Sequence, residues 1–356
     1  MDSSNADLSL TRLPPKAARL CLSVERSMYA LGLGRPLRLL LALSGGVDST
    51  ALACIFAILA ARRHDTLFAA TLNHGLRREA CQEVQGCLTL CQKLGITCKA
   101  LTCDVASWAQ QHKEGLEEAA RTIRYRLLEE TRSAFDADFV VTAHHADDLN
   151  EDILMRLVRG CGWPALGGMS ARDDQRHLLR PLLGLKKKAL TDFVRALHLS
   201  WFEDSSNNDL RFTRNRFRHK LLPLLEQENP HISKAFEHLH TLAKVDTHFW
   251  ETYLTQALER FGYELHLDEQ SISISYTKAL LDALHPAARL RLYLRTLTLI
   301  SEKRRTLGHQ SGEAKASQLF ALEDCVQRGK GGKTILFPGR ISVIFQHKRL
   351  CFSAQL

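Results

Sequence analysis

No apolar run in this 356-residue chain reaches membrane length. The longest, at 39–43 and 51–61, are bounded by polar residues far short of the ~20 apolar residues a spanning helix needs, so no membrane partner is expected. The opening residues, MDSSNADLSLTR, have neither the basic start nor the apolar core of a secretory signal, and a cytoplasmic location is expected. Cysteine occurs ten times, but never as CxxC and never in a Cys/His cluster of zinc spacing. That removes zinc ribbons and adjacent-dithiol chemistry, and leaves small buried hydrophobes in a reducing compartment. Also missing are an internal repeat, a low-complexity tract and the GxxxxGK(S/T) loop of Walker-type hydrolases.

What is present points to an α/β protein. A hydrophobic content of 45% over this length supports two or three packed domains. Lys and Arg number 48 against 39 Asp and Glu, a net charge of +9, which favours a polyanionic partner through release of phosphate counterions. Apolar strand candidates at 37–43, 67–72, 96–103 and 139–143 alternate with helical patterns at 49–62, 77–94, 116–133 and 147–158. This is the rhythm of right-handed βαβ units around a parallel sheet, whose ligands sit beyond the carboxyl ends of the strands.

The first strand runs into LLLALSGGVDST. Gly45 and Gly46 let the backbone turn tightly and expose its N–H groups, and the helix that follows adds its positive end. Ser44, Ser49 and Thr50 supply hydroxyl donors around Val47, which completes a phosphate cradle. A carboxylate there, Asp48, would repel phosphate unless Mg²⁺ bridges the two, so a Mg-nucleotide is expected.

Further polar groups fall at strand ends. NHGLRRE places His74 and Arg77 after the second strand. EEAARTIRYRLL puts Glu117, Arg121 and Arg124 on one helical stripe, a spacing that fits a solvated face equally well. VVTAHHADDLNED delivers His144, His145, Asp147, Asp148 and Glu151 to a strand end and a first helical turn, where acids also serve the helix dipole. In WFEDSSNNDLRFTRNRFRHKLLPLL, a polar linker leads to Arg211, Arg214 and Arg218 on one expected helix face, suited to phosphates or an RNA backbone.

SGGVDS matches the SGGxDS signature of the PP-loop ATP pyrophosphatases. Together with NHGLR, EEAARTIRY, TAHHADDLNED, RLVRGCGW…LGGM, RPLL and DSSNNDLRFTRNRFRHKLLP, in that order over about 37–230, it makes the chain resemble the tRNA(Ile)-lysidine synthetase family. One position departs: the family often has Asp before the His of the second motif, where this chain has Asn73. The resemblance implies a Rossmann-like parallel-sheet catalytic domain at 1–228, then a helical connector and a small α+β tRNA-binding domain at 229–356. It also implies a reaction. ATP activates the C2 carbonyl oxygen of the wobble cytidine in the CAU anticodon of tRNA(Ile), pyrophosphate leaves, and L-lysine then displaces AMP to form lysidine. On that reading residues 44–49 bind ATP, Asp48 holds Mg²⁺, and Arg214 stabilises charge on the adenylate. Asp148 and Glu151 serve Mg²⁺ or the ammonium groups of lysine, and His144 handles protons. His74, Arg77, Arg121, Arg124, Arg211 and Arg218 form the substrate- and tRNA-facing set. A homodimer would suit an elongated RNA.

The last third reads as a long helix at 230–261, an alternating piece in ELHLDEQSISISY, and helices at 277–300 and 316–327. An exposed loop is expected at 301–315, then a hairpin of two strands carrying Lys330, Lys333, Arg340, Lys348 and Arg349. Two competing functions bear on the same motifs. A tRNA thiolation enzyme generally needs paired cysteines, and a catalytically silent RNA binder has no use for a carboxylate beside a phosphate cradle.

Overall fold

The computed structural model describes residues 9–73, 80–112, 115–203, 209–306, 314–329, 331–346 and 348–356. The chain divides into two compact units, Met1–Ala243 and Lys244–Leu356. Among the described residues, no helix is long and apolar enough to cross a membrane.

The first unit opens with α1 (Pro15–Ala30), followed by β1 (Arg38–Leu43), α2 (Val47–Arg63), β2 (Thr66–Asn73), α3 (Ala80–Leu94), β3 (Thr97–Thr102), α4 (Val105–His112), α5 (Leu116–Ala134), β4 (Phe139–Val141) and α6 (Ala146–Arg159). Short β5 (Arg172–Asp173) and β6 (Leu178–Leu179) lead to α7 (Lys187–Ala196), and then to α8 (Thr213–Arg216) and α9 (Leu222–Glu228). The described strands form one sheet in the order β3-β2-β1-β4-β6-β5, parallel except for β5. β1 is apolar from Leu39 to Leu43 because both its faces are covered. Leu39, Leu41 and Leu43 join α1, α2, α3 and α7 in one core, while Leu40 packs with Leu128 of α5 on the other side. The residues of α2 are apolar nearly all round for the same reason, and Leu52, Ile55, Phe56 and Leu59 are fully buried. The helix stops at His64 in the left-handed conformation.

The chain leaves β1 toward β2 and β3 on one side and returns through β4 and β6 on the other. A crevice therefore opens beyond the carboxyl ends of β1 and β4, where a doubly wound sheet binds its ligand. The strands and helices expected at 37–158 are all present, with ends among the described residues shifted by up to two residues; residues 77–79 of the helix expected at 77–94 lie outside the described residues.

In the second unit, the end of α10 (Ile232–Phe261) leads to β7 (Glu264–Leu267), β8 (Ser271–Thr277), α11 (Lys278–Ala283), α12 (Pro286–Thr306), α13 (Ala316–Gln327), β9 (Thr334–Phe337), β10 (Ile341–Gln346) and β11 (Arg349–Gln355). The strands form an antiparallel sheet in the order β7-β8-β11-β10-β9. Its alternating buried residues, among them Ile272, Ile274, Val343 and Phe352, pack with Leu292, Tyr293 and Leu322. Two expectations are corrected. The segment after residue 329 makes three strands rather than two, since TILF pairs with β10 across the turn at Gly339. The expected loop at 301–315 begins as helix: SEKRRT has no breaker, so α12 runs to Thr306, and buried Arg304 donates to the Gly339 carbonyl. Residues 307–313 lie outside the described residues.

Candidate active site

The turn after β1 is built by two glycines with different jobs. Gly45 has φ +80°, a conformation that penalises any Cβ, and Gly46 is the N-cap of α2. Ser49 Oγ accepts from the Ser44 N–H at 3.2 Å and donates to the Gly46 carbonyl at 3.0 Å, which ties the turn to the helix start. The first N–H groups of a helix have no partner within it, so the turn presents donors and a positive dipole end to the crevice. Phe202 braces the turn from behind. Its N–H donates to the Gly45 carbonyl at 3.0 Å, and its ring fills the slot left by Gly86, where a Cβ would lie 2.3 Å from the ring.

Asp48 sits in the first turn of α2. Its Oδ2 lies 3.6 Å from His145 Nε2 and 3.8 Å from Lys187 Nζ. Its Oδ1 is buried without a hydrogen-bond partner, an open ligand position on a carboxylate flanked by cations. His145 is 1% exposed. Burial opposes its charge, but the polar contact its ring N–H makes to the Asp48 carboxylate and the charges of Asp148, Asp48 and Asp147 outweigh that, and its pKa is raised.

α6 leaves β4 through His145, its N-cap, and Asp148 Oδ2 accepts the His145 N–H at 3.0 Å. Asp148 and Glu151 then share two arginines. Arg214 Nε donates to Glu151 Oε2 at 2.6 Å and its Nη2 to Asp148 Oδ1 at 2.9 Å. Arg218 Nε donates to Glu151 Oε1 at 2.6 Å, with Nη2 3.5 Å from Asp148 Oδ1. Glu151 is 1% exposed. Burial pulls against both charges, yet Asp148 is held below the usual carboxylate range by His145, Arg214 and His144, and Arg214 is raised by Asp148 and Glu151. The helix carrying these arginines widens to one π-helical turn, Phe217–Leu221, just before Pro223, which has no N–H to continue the ladder.

A cleft of about 210 Å³ lies between these elements, lined by Ser44, Gly46, Asp48 and Ser49 on one side and Arg124, Tyr125, His144 and Asp148 on the other. Burial lowers the pKa of Arg124, and the nearby charges of Arg121 and Arg214 lower it further. Tyr125 is half-buried, and although desolvation opposes its ionisation its pKa falls because Arg124, Arg121 and Arg180 surround it. This wall is electropositive and suited to an anion. His144 hydrogen-bonds Thr142 Oγ1 through Nδ1 at 2.8 Å. Burial, with the charges of Arg180, Arg214 and Arg124, pushes it down to about 3 against the pull of Asp148. It therefore stands as a neutral imidazole near pH 7.

The fold brings together Ser44, Gly46, Asp48, Ser49, Arg124, His144 and Asp148 in the cleft lining, with Glu151, Arg214 and Arg218 behind Asp148. Gly45 and Val47 complete the turn, and Val47 is buried. Arg121 is exposed, over the Tyr125 ring at 5.2 Å. His74 and Arg77 lie outside the described residues. Arg211 is a correction: it precedes the helix that starts at Thr213 and folds back on Asp209, at 2.7 Å, rather than joining Arg214 and Arg218. Sequence reasoning did not select His145, Lys187, Tyr125, Arg180 or Phe202. The HH pair and the RPLL segment carried the signal for His145 and Arg180; nothing local marked Phe202.

A glycine turn and helix N-terminus at the β1/β4 switch point define a nucleotide-binding α/β domain of the PP-loop class, and residues 24–225 match the PP-loop domain family. The tRNA(Ile)-lysidine synthase of Nitratidesulfovibrio vulgaris (strain Hildenborough) is 39% identical over 323 residues, 88% of this chain and 90% of that protein. The tRNA(Ile)-lysidine synthase of Azoarcus sp. (strain BH72) is 37% identical over 280 residues, 76% of this chain and 57% of that longer protein. The solved U34-tRNA thiolase NcsA from Methanococcus maripaludis, with its 4Fe-4S cluster, shares the fold at TM-score 0.55 and 15% identity, over 64% of this chain and 80% of that one. This chain belongs to the tRNA(Ile)-lysidine synthase family of ATP-using PP-loop ligases.

Proposed function

We propose that this protein joins L-lysine to C2 of the wobble cytidine in the CAU anticodon of tRNA(Ile), through an adenylated tRNA, so that the anticodon reads AUA as isoleucine. The observation that carries this reading is the convergence, on one cleft, of the SGGVDS turn, a half-open carboxylate at Asp48 and an electropositive wall. The triphosphate lies on the N–H groups of the turn and the start of α2. Asp48 fits Mg²⁺, which prefers one or two carboxylates plus phosphate oxygens, and Oδ1 is such a carboxylate oxygen with no other partner. When bound, the ion neutralises phosphate charge.

The cytidine O2 attacks the α-phosphorus and the bond to pyrophosphate breaks. Arg124, among cations in the cleft wall, takes the charge on the α-phosphate. An amine of lysine then attacks C2 and AMP leaves. Asp148 and Glu151 hold Arg214 and Arg218 as fixed positive charges, and an incoming lysine ammonium competes with those guanidiniums for the same carboxylates. In the second unit, exposed Lys333, Arg340 and Lys348 serve the RNA backbone, whereas Arg349 is engaged by Glu264. Burial pushes the Cys21 and Cys54 thiols up to about 12, far from a reactive thiolate, so neither of these two suits sulfur transfer.

The test is incorporation of labelled lysine into an unmodified tRNA(Ile) transcript bearing CAU, with Mg-ATP and parallel measurement of pyrophosphate. Coupled lysine incorporation and pyrophosphate release is the expected result. Pyrophosphate without incorporation would demand another nucleophile, and the absence of both signals would overturn the reading.

A further inference from the structure

α7 begins against its own electrostatics. Its N-cap is Lys186, its first two residues are Lys187 and Lys188, and its first turn holds no acid. Cations at a helix N-terminus oppose the dipole. Lys188 is compensated within the helix by Asp192, four residues on, at 3.3 Å, and Lys186 is exposed to solvent. Lys187 turns instead toward the nucleotide loop, with Nζ 3.8 Å from Asp48 Oδ2.

The start of α7 is fixed in place. The Ala146 N–H, in the first residue of α6, donates to the Leu185 carbonyl at 2.8 Å, which pins this segment to the carboxyl end of β4. One turn further on, Leu190, Phe193 and Val194 are buried in the core that holds α2. Lys187 thus approaches Asp48 from a rigid support. Arg124 lines the cleft together with Asp48, and Lys187 is not part of that lining. The cations of the site therefore fall into two sets with Asp48 common to both.

We propose that Lys187 binds the pyrophosphate portion of ATP. It is the counter-ion of Asp48 when no nucleotide is present, and it passes to the terminal phosphates when Mg²⁺ takes the carboxylate. This rests on reading the site as an ATP pyrophosphatase. When the cytidine oxygen attacks the α-phosphorus, the bridging oxygen leaves with the bonding pair on pyrophosphate. Lys187 neutralises that charge, while the cleft cations stay with AMP. A flexible point charge suits a group that leaves.

The experiment compares wild type, Lys187→Met and Lys187→Arg in the full chain, using calorimetric binding of pyrophosphate and of AMP, each with and without Mg²⁺, alongside kcat and KM for ATP. Met keeps the apolar stem, and melting temperatures check the fold. Lys187→Met is expected to weaken Mg-pyrophosphate binding about tenfold or more while AMP binding changes less than about twofold, and Lys187→Arg recovers most of the loss. Equal weakening of both ligands would mean that Lys187 only props the loop, and no change in either would mean that it does not meet the phosphates; both overturn the proposal. The underlying reading fails separately, in a wild-type protein that releases no pyrophosphate with tRNA, lysine and ATP.

Discussion

Replacing Glu151 by Gln asks whether the two acids of α6 exist to hold arginines. Glu151 is 1% exposed, and each of its oxygens accepts a 2.6 Å hydrogen bond from a guanidinium Nε. The amide keeps the volume but loses the charge, and its NH₂ faces a donor. Arg214 and Arg218 are left to share Asp148, at 2.9 and 3.5 Å. Removing one partner of a buried ion pair costs 3–5 kcal/mol, and because the arginine side chains are 30% and 26% exposed, so that water relieves part of the loss, the expected destabilisation is about 3 kcal/mol. A second change, Arg218→Gln, restores charge balance, so the double variant should be more stable than the sum of the singles by about 1–2 kcal/mol. Urea unfolding measures the total. Amide exchange in α6 gives the local value, which matters because two compact units need not unfold together. A loss under about 1 kcal/mol, or strict additivity, would refute the argument that these carboxylates neutralise the arginines.

Asp48→Ala should lower lysine incorporation by at least about 100-fold, with tRNA affinity in a filter-binding assay largely retained; equal activity would remove the proposed metal role of that carboxylate. The two histidines should affect acid stability with opposite signs. His144 titrates near 6.5 unfolded and at about 3 folded, so the unfolded chain binds the extra proton between those values and stability falls as pH drops below 6.5. Between pH 6.5 and 5 this amounts to about 2 kcal/mol, and His144→Gln should flatten that slope in urea titrations. His145 has a raised pKa, so its contribution is full below 6.5 and is lost as pH rises through the folded value; His145→Gln should leave the acid slope and remove the alkaline one.

Much of the first unit was legible because its determinants are local. A run such as LLLAL, apolar at every position, fits only a strand covered on both faces, and SGGVDS marks where the chain must turn and start a helix. What stayed hidden depends on direction and on distant partners. His144 and His145 are neighbours, and the sequence does not say which one meets Asp48; the exit of β4 and the capping of α6 decide it for His145. Helical spacing put Arg211 with Arg214 and Arg218, but Asp209 holds it outside the helix. α7 went unread since three lysines resemble a solvated surface, although Leu190, Phe193 and Val194 carry the spacing of a buried stripe.

The distribution of paired and unpaired charge separates the parts of the site. Arg214 and Arg218 arrive already matched by Asp148 and Glu151, so they add little net attraction for a polyanion and instead hold a fixed geometry. Arg124 has a lowered pKa because burial and neighbouring cations surround it, and Tyr125 is lowered by the same group of charges. A cation in that setting gains most from a phosphate, which relieves both the desolvation and the repulsion at once. Around Asp48 the logic reverses: Lys187 and the His145 imidazole stand by one carboxylate oxygen while the other has no hydrogen-bond partner. On the proposed reading, nucleotide binding would redistribute charge in both places, toward Arg124 on the nucleoside-monophosphate side and away from Lys187–Asp48 on the side of the leaving group. A site working in the proposed way would favour cleavage between the α- and β-phosphates over loss of the terminal phosphate, the same distinction the missing GxxxxGK(S/T) loop draws in the sequence.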